Sequence, residues 1–190
     1  MVFDDASGRL KRLVQIGKTR GYILYDEIDQ FLPPALEADA QLDVTLTELA
    51  ANGIEVLEEP GDAIDPTDQA LHDLNEELDD SSAIKIYLRE VMTIPRLTRG
   101  DEIELAKRIS RGGQDAENAM KQLIEANLYL VVAVAKRRAG LGYGLLELIQ
   151  EGNVGLMQAA EKYKHTREYR FSTYAIWWIR RSLVQPNLDN

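Results

Sequence analysis

Stop signals of proline, glycine or Asn-Gly recur along this chain at helix-length intervals, and that punctuation most constrains its fold. LKRLVQIGKTRG runs to Gly21, YILYDEIDQFLPP to Pro33-Pro34, and LDVTLTELAANG to Asn52-Gly53. GIEVLEEP reads as a short extended or terminal piece. SAIKIYLREVMTIPRLT predicts a helix that stops before Pro95, since the residue before a proline disfavours the helical region. Thr98, with Asp101 and Glu102 behind it, opens GDEIELAKRISRGG, which ends at Gly112-Gly113. DAENAMKQLIEANLYLVVAVAKRRAG predicts one long helix whose bases gather at the end where the dipole favours them. The loop GLGYG leads into LLELIQEGNVGLMQAAEKY, and a last helix starts near Ser172 or Thr173, either able to cap it. The reading is an all-α fold without internal repeats.

Charge divides the same chain in two. Residues 1–80 hold 20 acids and 5 bases, whereas residues 81–190 hold 12 acids and 17 bases, so the formal net charge of −10 belongs to one half. Between Glu37 and Asp80 there are 15 acids and no Lys or Arg. The expected organisation is a small helical domain over 1–57, a flexible acidic linker over 58–81 marked by Pro60, Gly61 and Pro66, and a second helical domain over 82–190. An acidic segment tethered to a basic one can compete with the anionic partner of the basic one.

Several function classes are disfavoured. Without cysteine there are no disulfides or thiolate sites, and His72 and His165 stand too far apart in sequence to suggest a metal ligand pair. GLGYG lacks the Lys-Ser/Thr ending of a phosphate loop. No grouping of nucleophile, base and acid suggests an enzyme, and no cofactor is expected. No apolar run approaches a membrane span, and the start MVFDDASGRL does not read as a signal peptide, so the expected location is cytoplasmic, with no membrane partner.

Two stretches carry more specific signals. REYRFSTYAIWWIRR, residues 167–181, holds five of the 13 aromatic residues together with four arginines. At 100° per residue, Ile176, Ile179 and Leu183 share one side of the last helix, and Tyr174, Trp177, Trp178 and Arg181 share the other. Burial is the ordinary fate of Trp and Tyr. Against it stand Arg167, Arg170, Arg180 and Arg181, cations that are costly to desolvate around a buried cluster. Exposed aromatic rings among arginines suit single-stranded nucleic acid, whose bases stack on the rings while the arginines hold phosphates. In LLELIQEGNVGLMQAAEKY, Leu145, Leu148, Ile149, Gly152 and Leu156 form one face, and Glu147, Gln150, Glu151 and Gln158 the other. Gly152 and Gly155 inside a helix point to close packing. The polar face reads by itself as solvated, or as a seat for a basic protein surface.

ANLYLVVAVAKR, LLELIQEGNVGLMQAAEKY and RFSTYAIWWIR together resemble the most characteristic stretch of the primary, or housekeeping, sigma factors of bacterial RNA polymerase. SAIKIYLREVMTIPRLTRGDEIELAKRI is similar to the segment before it in that family, and LKRLVQIGKTRGYILYDEIDQFLP to the family's N-terminal autoinhibitory domain. The resemblance implies a transcription initiation factor that binds core RNA polymerase and melts the minus-ten promoter element by capturing flipped non-template bases. It places Tyr174 on the flipped upstream adenine, Phe171, Trp177 and Trp178 at the strand-separated fork, and Tyr163, Arg167 and Arg170 at the pocket and phosphates. It places Glu102, Asn127, Leu130, Ser172 and Thr173 around the last base of the element. Lys85, Leu88 and Arg89 match the segment facing discriminator DNA. Glu147, Gln150, Glu151, Asn153 and Met157 match the face that docks on the clamp helices of the largest polymerase subunit, which replaces solvation as the reading of that face.

The chain departs from the family at several of these positions. Lys164 stands for a usual acid, Glu168 for a Gly, Tyr129 for an Arg, and Arg181 for a Gln that reads a duplex base; Arg favours guanine where Gln pairs with adenine. After Val184 the sequence meets Gln185, Pro186 and NLDN where the family continues into further domains, so the expectation is a family member truncated after the minus-ten segment. The alternative function is a truncated sigma factor that occupies the polymerase without opening promoters. A helical RNA-binding protein would leave the Glu147 to Met157 face without a role.

Overall fold

A computed structural model describes residues 6–32, 38–60, 68–79, 82–139 and 144–184 of the chain. The polypeptide divides into two compact units, Met1–Ile64 with Arg167–Tyr169, and Asp65–Thr166 with Arg170–Asn190. The stops expected at Pro33-Pro34, Gly61 and Pro66, and Pro186, lie outside the described residues, as does most of the GLGYG loop.

In the first unit, α1 (Ala6–Arg20) ends where Gly21 takes φ 86°, a left-handed conformation that favours glycine. The next residues, expected to be helical, instead form β1 (Tyr22–Leu24) before α2 (Tyr25–Phe31) begins. β1 pairs in parallel with β2 (Glu55–Leu57), in the register Ile23 opposite Val56. Local helix pattern yields here because the short extended piece recognised around Ile54 supplies a strand partner, and pairing buries Ile23 completely. The Glu27 carboxylate then accepts the Leu24 N–H at 2.9 Å and pairs with Arg20 at 2.5 Å, which anchors the start of α2. Helix α3 (Ala38–Ala51) closes the unit, with Leu42, Leu46 and Leu49 in the core and Gly53 at φ 66° beyond its end. Asp43 of α3 accepts the Tyr169 hydroxyl at 2.6 Å and pairs with Arg167 at 3.1 Å.

The second unit corrects two expectations. Part of the acidic stretch expected to be a flexible linker folds as α4 (Asp68–Glu77), because Leu71 and Leu74 recur on one helical face and are buried. After α5 (Ala83–Thr93) and α6 (Arg99–Arg111), the long helix expected over residues 115–140 is two helices, α7 (Gln114–Glu125) and α8 (Leu128–Arg138). The break is at Asn127. Its side-chain amide donates to the Leu123 carbonyl at 2.8 Å, while its backbone N–H turns to Ile124 at 3.0 Å. Asparagine thus takes over the carbonyl that a continuous helix would satisfy with its backbone.

The Thr98 start is a reciprocal cap: its hydroxyl accepts the Asp101 N–H at 3.2 Å and Asp101 accepts the Thr98 N–H at 2.9 Å. Helix α8 is buried over every residue from Tyr129 to Ala135, as a helix apolar all round must be, and packs against α4, α5, α9 (Leu145–Lys162) and α10 (Phe171–Val184). The two helical glycines of α9 mark close packing, Gly155 against the α10 backbone and Gly152 against side chains of α8 and α10. A Cβ on Gly155 would lie 2.6 Å from the Trp178 carbonyl oxygen, and one on Gly152 would lie 2.7 Å from Val131. Apart from the paired short strands, the described fold is helical.

Candidate nucleic-acid interface

The start of α10 is built around one buried carboxylate. Glu102, in the first turn of α6, is 2% exposed and receives Arg170 through both Nε, at 3.1 Å, and a terminal nitrogen, at 2.8 Å. The same carboxylate accepts the N–H of Phe171, the first residue of α10, at 3.2 Å. A negative group at a helix N-terminus satisfies an orphan donor and complements the dipole, so Glu102 fixes both Arg170 and the start of the helix. Arg170 also donates to the Leu97 carbonyl at 3.3 Å.

Behind this start the aromatic residues form a continuous array. Tyr163 meets Phe171 edge-on at 5.1 Å and Tyr174 at 6.1 Å, Tyr174 meets Trp178 at 6.1 Å, and Trp178 meets Trp177 at 5.3 Å. Both sides of α10 are buried, which corrects the expectation of an exposed aromatic face: Tyr174 is 1% and Trp178 6% exposed. Three of the four arginines have partners of their own, and Arg180 is buried with its Nε unbonded among the described residues. Arg170 has Glu102, Arg167 has Asp43, and Arg181 lies over the Trp177 ring at 5.0 Å. Lys162 covers Trp178 at 4.5 Å. The Trp178 indole N–H is buried without a hydrogen-bond partner among the described residues.

The remaining nucleic-acid candidates separate into buried and accessible groups. Asn127, Leu130 and Ser172 are buried with Glu102, and Thr173 is half-buried. Lys85 is buried and donates to the Leu78 carbonyl at 2.8 Å, and Leu88 is buried too, so only Arg89 of that trio lies exposed. Arg167 and Tyr169 are grouped with Asp43 in the first unit rather than with Arg170.

Helix α9 carries the expected division. Leu148, Ile149, Gly152 and Leu156 are buried, and Glu147, Gln150, Glu151 and Met157 are exposed, while Asn153 is half-buried, its Oδ1 without a hydrogen-bond partner among the described residues. Burial raises the Tyr87 pKa, and the Asn153 side chain opposes the rise. Glu147 also accepts the Gly144 N–H at 3.1 Å, so its carboxylate steadies the start of α9. Sequence reasoning missed Leu146 and Val154, which are 44% and 49% exposed beside Met157 at 50%. Their signal was available: both are apolar residues that the 100° spacing puts on the polar side.

Comparison with known proteins converges on one family. Sigma-70 factor region 1.1 matches residues 4–83, Sigma-70 factor region 1.2 matches residues 82–115, and Sigma-70 region 2 matches residues 123–185. The chain is similar to RNA polymerase sigma factor SigA from a Bacillus species, at 38% identity over 94% of this chain and 50% of that protein. The protein of that name from Listeria monocytogenes is 37% identical over 93% of this chain and 50% of its own length. The one from Lactococcus lactis is 47% identical over 56% of this chain and 28% of its own. The chain therefore spans about half the length of the first two curated relatives.

Proposed function

The chain belongs to the sigma-70 family, and on that premise we propose that it is a transcription initiation factor, not an enzyme, that docks on core RNA polymerase and engages the minus-ten element. The observation that carries the reading is the surface of α9. Glu147, Gln150, Glu151 and Met157, with Leu146 and Val154, stand exposed on a helix whose opposite side is fully packed. An apolar seam edged by carboxylates and amides suits a helical partner with basic residues at its rim, such as the clamp helices of the largest polymerase subunit.

Promoter opening is then a binding effect. Bases captured from the non-template strand offset the unpairing and unstacking cost of about a few kcal/mol. Tyr174, Trp177, Trp178 and Phe171 supply π-faces, Arg170 and Arg167 supply charge, and the Trp178 N–H, without a hydrogen-bond partner among the described residues, supplies a donor. Glu102, Asn127, Leu130, Ser172 and Thr173 shape the pocket for the last base, and Lys85, Leu88 and Arg89 face the discriminator. Because the rings are buried, they meet bases only after the surrounding side chains, Lys162 and Arg181 among them, move aside.

That burial favours a second reading, a polymerase-binding competitor that never opens promoters. A pull-down with core polymerase and a labelled minus-ten strand separates the two. Glu151→Lys should lose polymerase binding without loss of helicity, and the parent complex should bind the strand; retention of the strand by the core enzyme alone, with none added by the chain, selects the competitor. Unchanged polymerase binding by Glu151→Lys defeats the docking surface itself. No helix among the described residues is long and apolar enough to cross a membrane.

A further inference from the structure

The segment between α5 and α6 holds a stacked pair that the functions above leave unused. The Arg96 guanidinium carbon lies 3.2 Å from the centre of the Tyr129 ring, a face-on approach closer than the other cation–ring contacts described for this chain. Tyr129 is 5% exposed and rigid within α8, whereas Arg96 is exposed. One residue on, the Leu97 carbonyl accepts Arg170, and Thr98 begins the cap of α6. The short segment is thus held at successive residues, and the arginine plane is oriented before any ligand arrives. Pre-ordering a long, flexible side chain removes much of the entropy that a ligand contact would otherwise cost.

We propose that Arg96, laid flat on Tyr129, is a stacking platform for one unpaired base of a single-stranded nucleic acid. The inference rests on the single-strand reading above and extends it to two residues given no role there. A guanidinium is planar and weakly hydrated, so its outer face accepts a base while its inner face lies on the ring. Lysine keeps the charge but cannot present a flat face. Arg170 lies beside the segment through Leu97, so a strand whose phosphate reaches Arg170 passes within reach of Arg96.

The test is a salt titration of a fluorescent single-stranded oligonucleotide with the full chain bound to core RNA polymerase, with polymerase alone subtracted. Arg96→Lys should weaken binding about fivefold or more with the salt slope unchanged, because stacking is lost and charge is kept. Arg96→Ala should weaken it further and lower the slope by about 0.7. If Arg96→Lys binds as the parent does, the platform is wrong, whether Arg96→Ala loses only the charge contribution or nothing at all. In that case the wider reading still stands when Arg170→Ala weakens the complex. A parent complex that adds no strand binding to that of polymerase alone overturns both.

Discussion

At the scale of single residues, Glu102 shows how one side chain serves both stability and placement. It is buried and holds a guanidinium and a helix-terminal N–H together. Glu102→Ala removes the acceptor that Arg170 and the Phe171 N–H share, leaving Arg170 its bond to the Leu97 carbonyl. Breaking a buried ion pair costs 3 to 5 kcal/mol, and about 3 is expected here because Arg170 is partly solvated. A urea titration reads it, and a loss under about 1 kcal/mol would show that water replaces the carboxylate. Tyr174 tests the aromatic array differently. Tyr174→Phe keeps the packing and the π-face, so strand binding should stay within about twofold of the parent, because stacking rather than a hydroxyl bond is the invoked contact. A tenfold loss, measured by strand titration of the polymerase complex, would assign recognition to the hydroxyl.

At the scale of elements, the pairing of α9 with α10 depends on Gly155. Replacing a mid-helix glycine with alanine ordinarily gains about 1 kcal/mol of helix propensity. Here the new methyl would meet the Trp178 carbonyl at 2.6 Å and the Ile179 Cα at 2.9 Å, backbone atoms that cannot rotate away. Overpacking of this kind costs about 1 to 3 kcal/mol, so Gly155→Ala should be net destabilising and should change tryptophan fluorescence as α10 shifts. A more stable variant with unchanged fluorescence would mean that the two helices separate easily.

The cap of α6 gives the pH dependence of another element. The Thr98 hydrogen bonds lower the Asp101 pKa from its ordinary value of 3.8, and the Arg108 hydrogen bond lowers that of Asp115. A carboxylate depressed in the folded state contributes stability that is present above pH 3.8 and is lost as pH falls through the lowered value. Carboxyl carbon shifts in an NMR titration should therefore place both midpoints below 3.8, with the α6 and α7 termini loosening over the same range. Midpoints at or above that value would remove the caps as contributors.

At the scale of the whole molecule, the dominant asymmetry is charge: 20 acids and 5 bases in residues 1–80 against 12 and 17 in the remainder. If the acidic half competes with DNA for the basic half, deleting residues 1–64 should raise DNA affinity of the free chain. The gain should be largest at low salt, where the Debye length is long, and should shrink toward 0.5 M. Equal affinity of parent and deletion across the titration would end the competitor role of that half.

The division between what sequence alone determined and what tertiary structure decided follows the range of the interactions involved. Helix ends were legible at Gly21, Gly53, Thr98 and Gly112-Gly113, because caps and left-handed turns are set by residues within four positions of one another. The packed face of α9 was legible from its period, and its glycines from the rarity of glycine in helices. The motifs of residues 127–181 were legible as a family signature, since they occur together. Three things were not. Tyr22–Leu24 became a strand only because Glu55–Leu57, far along the chain, lies beside it. The acidic stretch became α4 in part because α5 and α8 cover Leu71 and Leu74. The aromatic side of α10, expected to be open, is buried, and a carboxylate distant in sequence, Glu102, compensates Arg170 at the start of that helix. Periodicity reports which residues share a face, but the cost of burying that face depends on partners that only the folded chain brings within hydrogen-bonding distance.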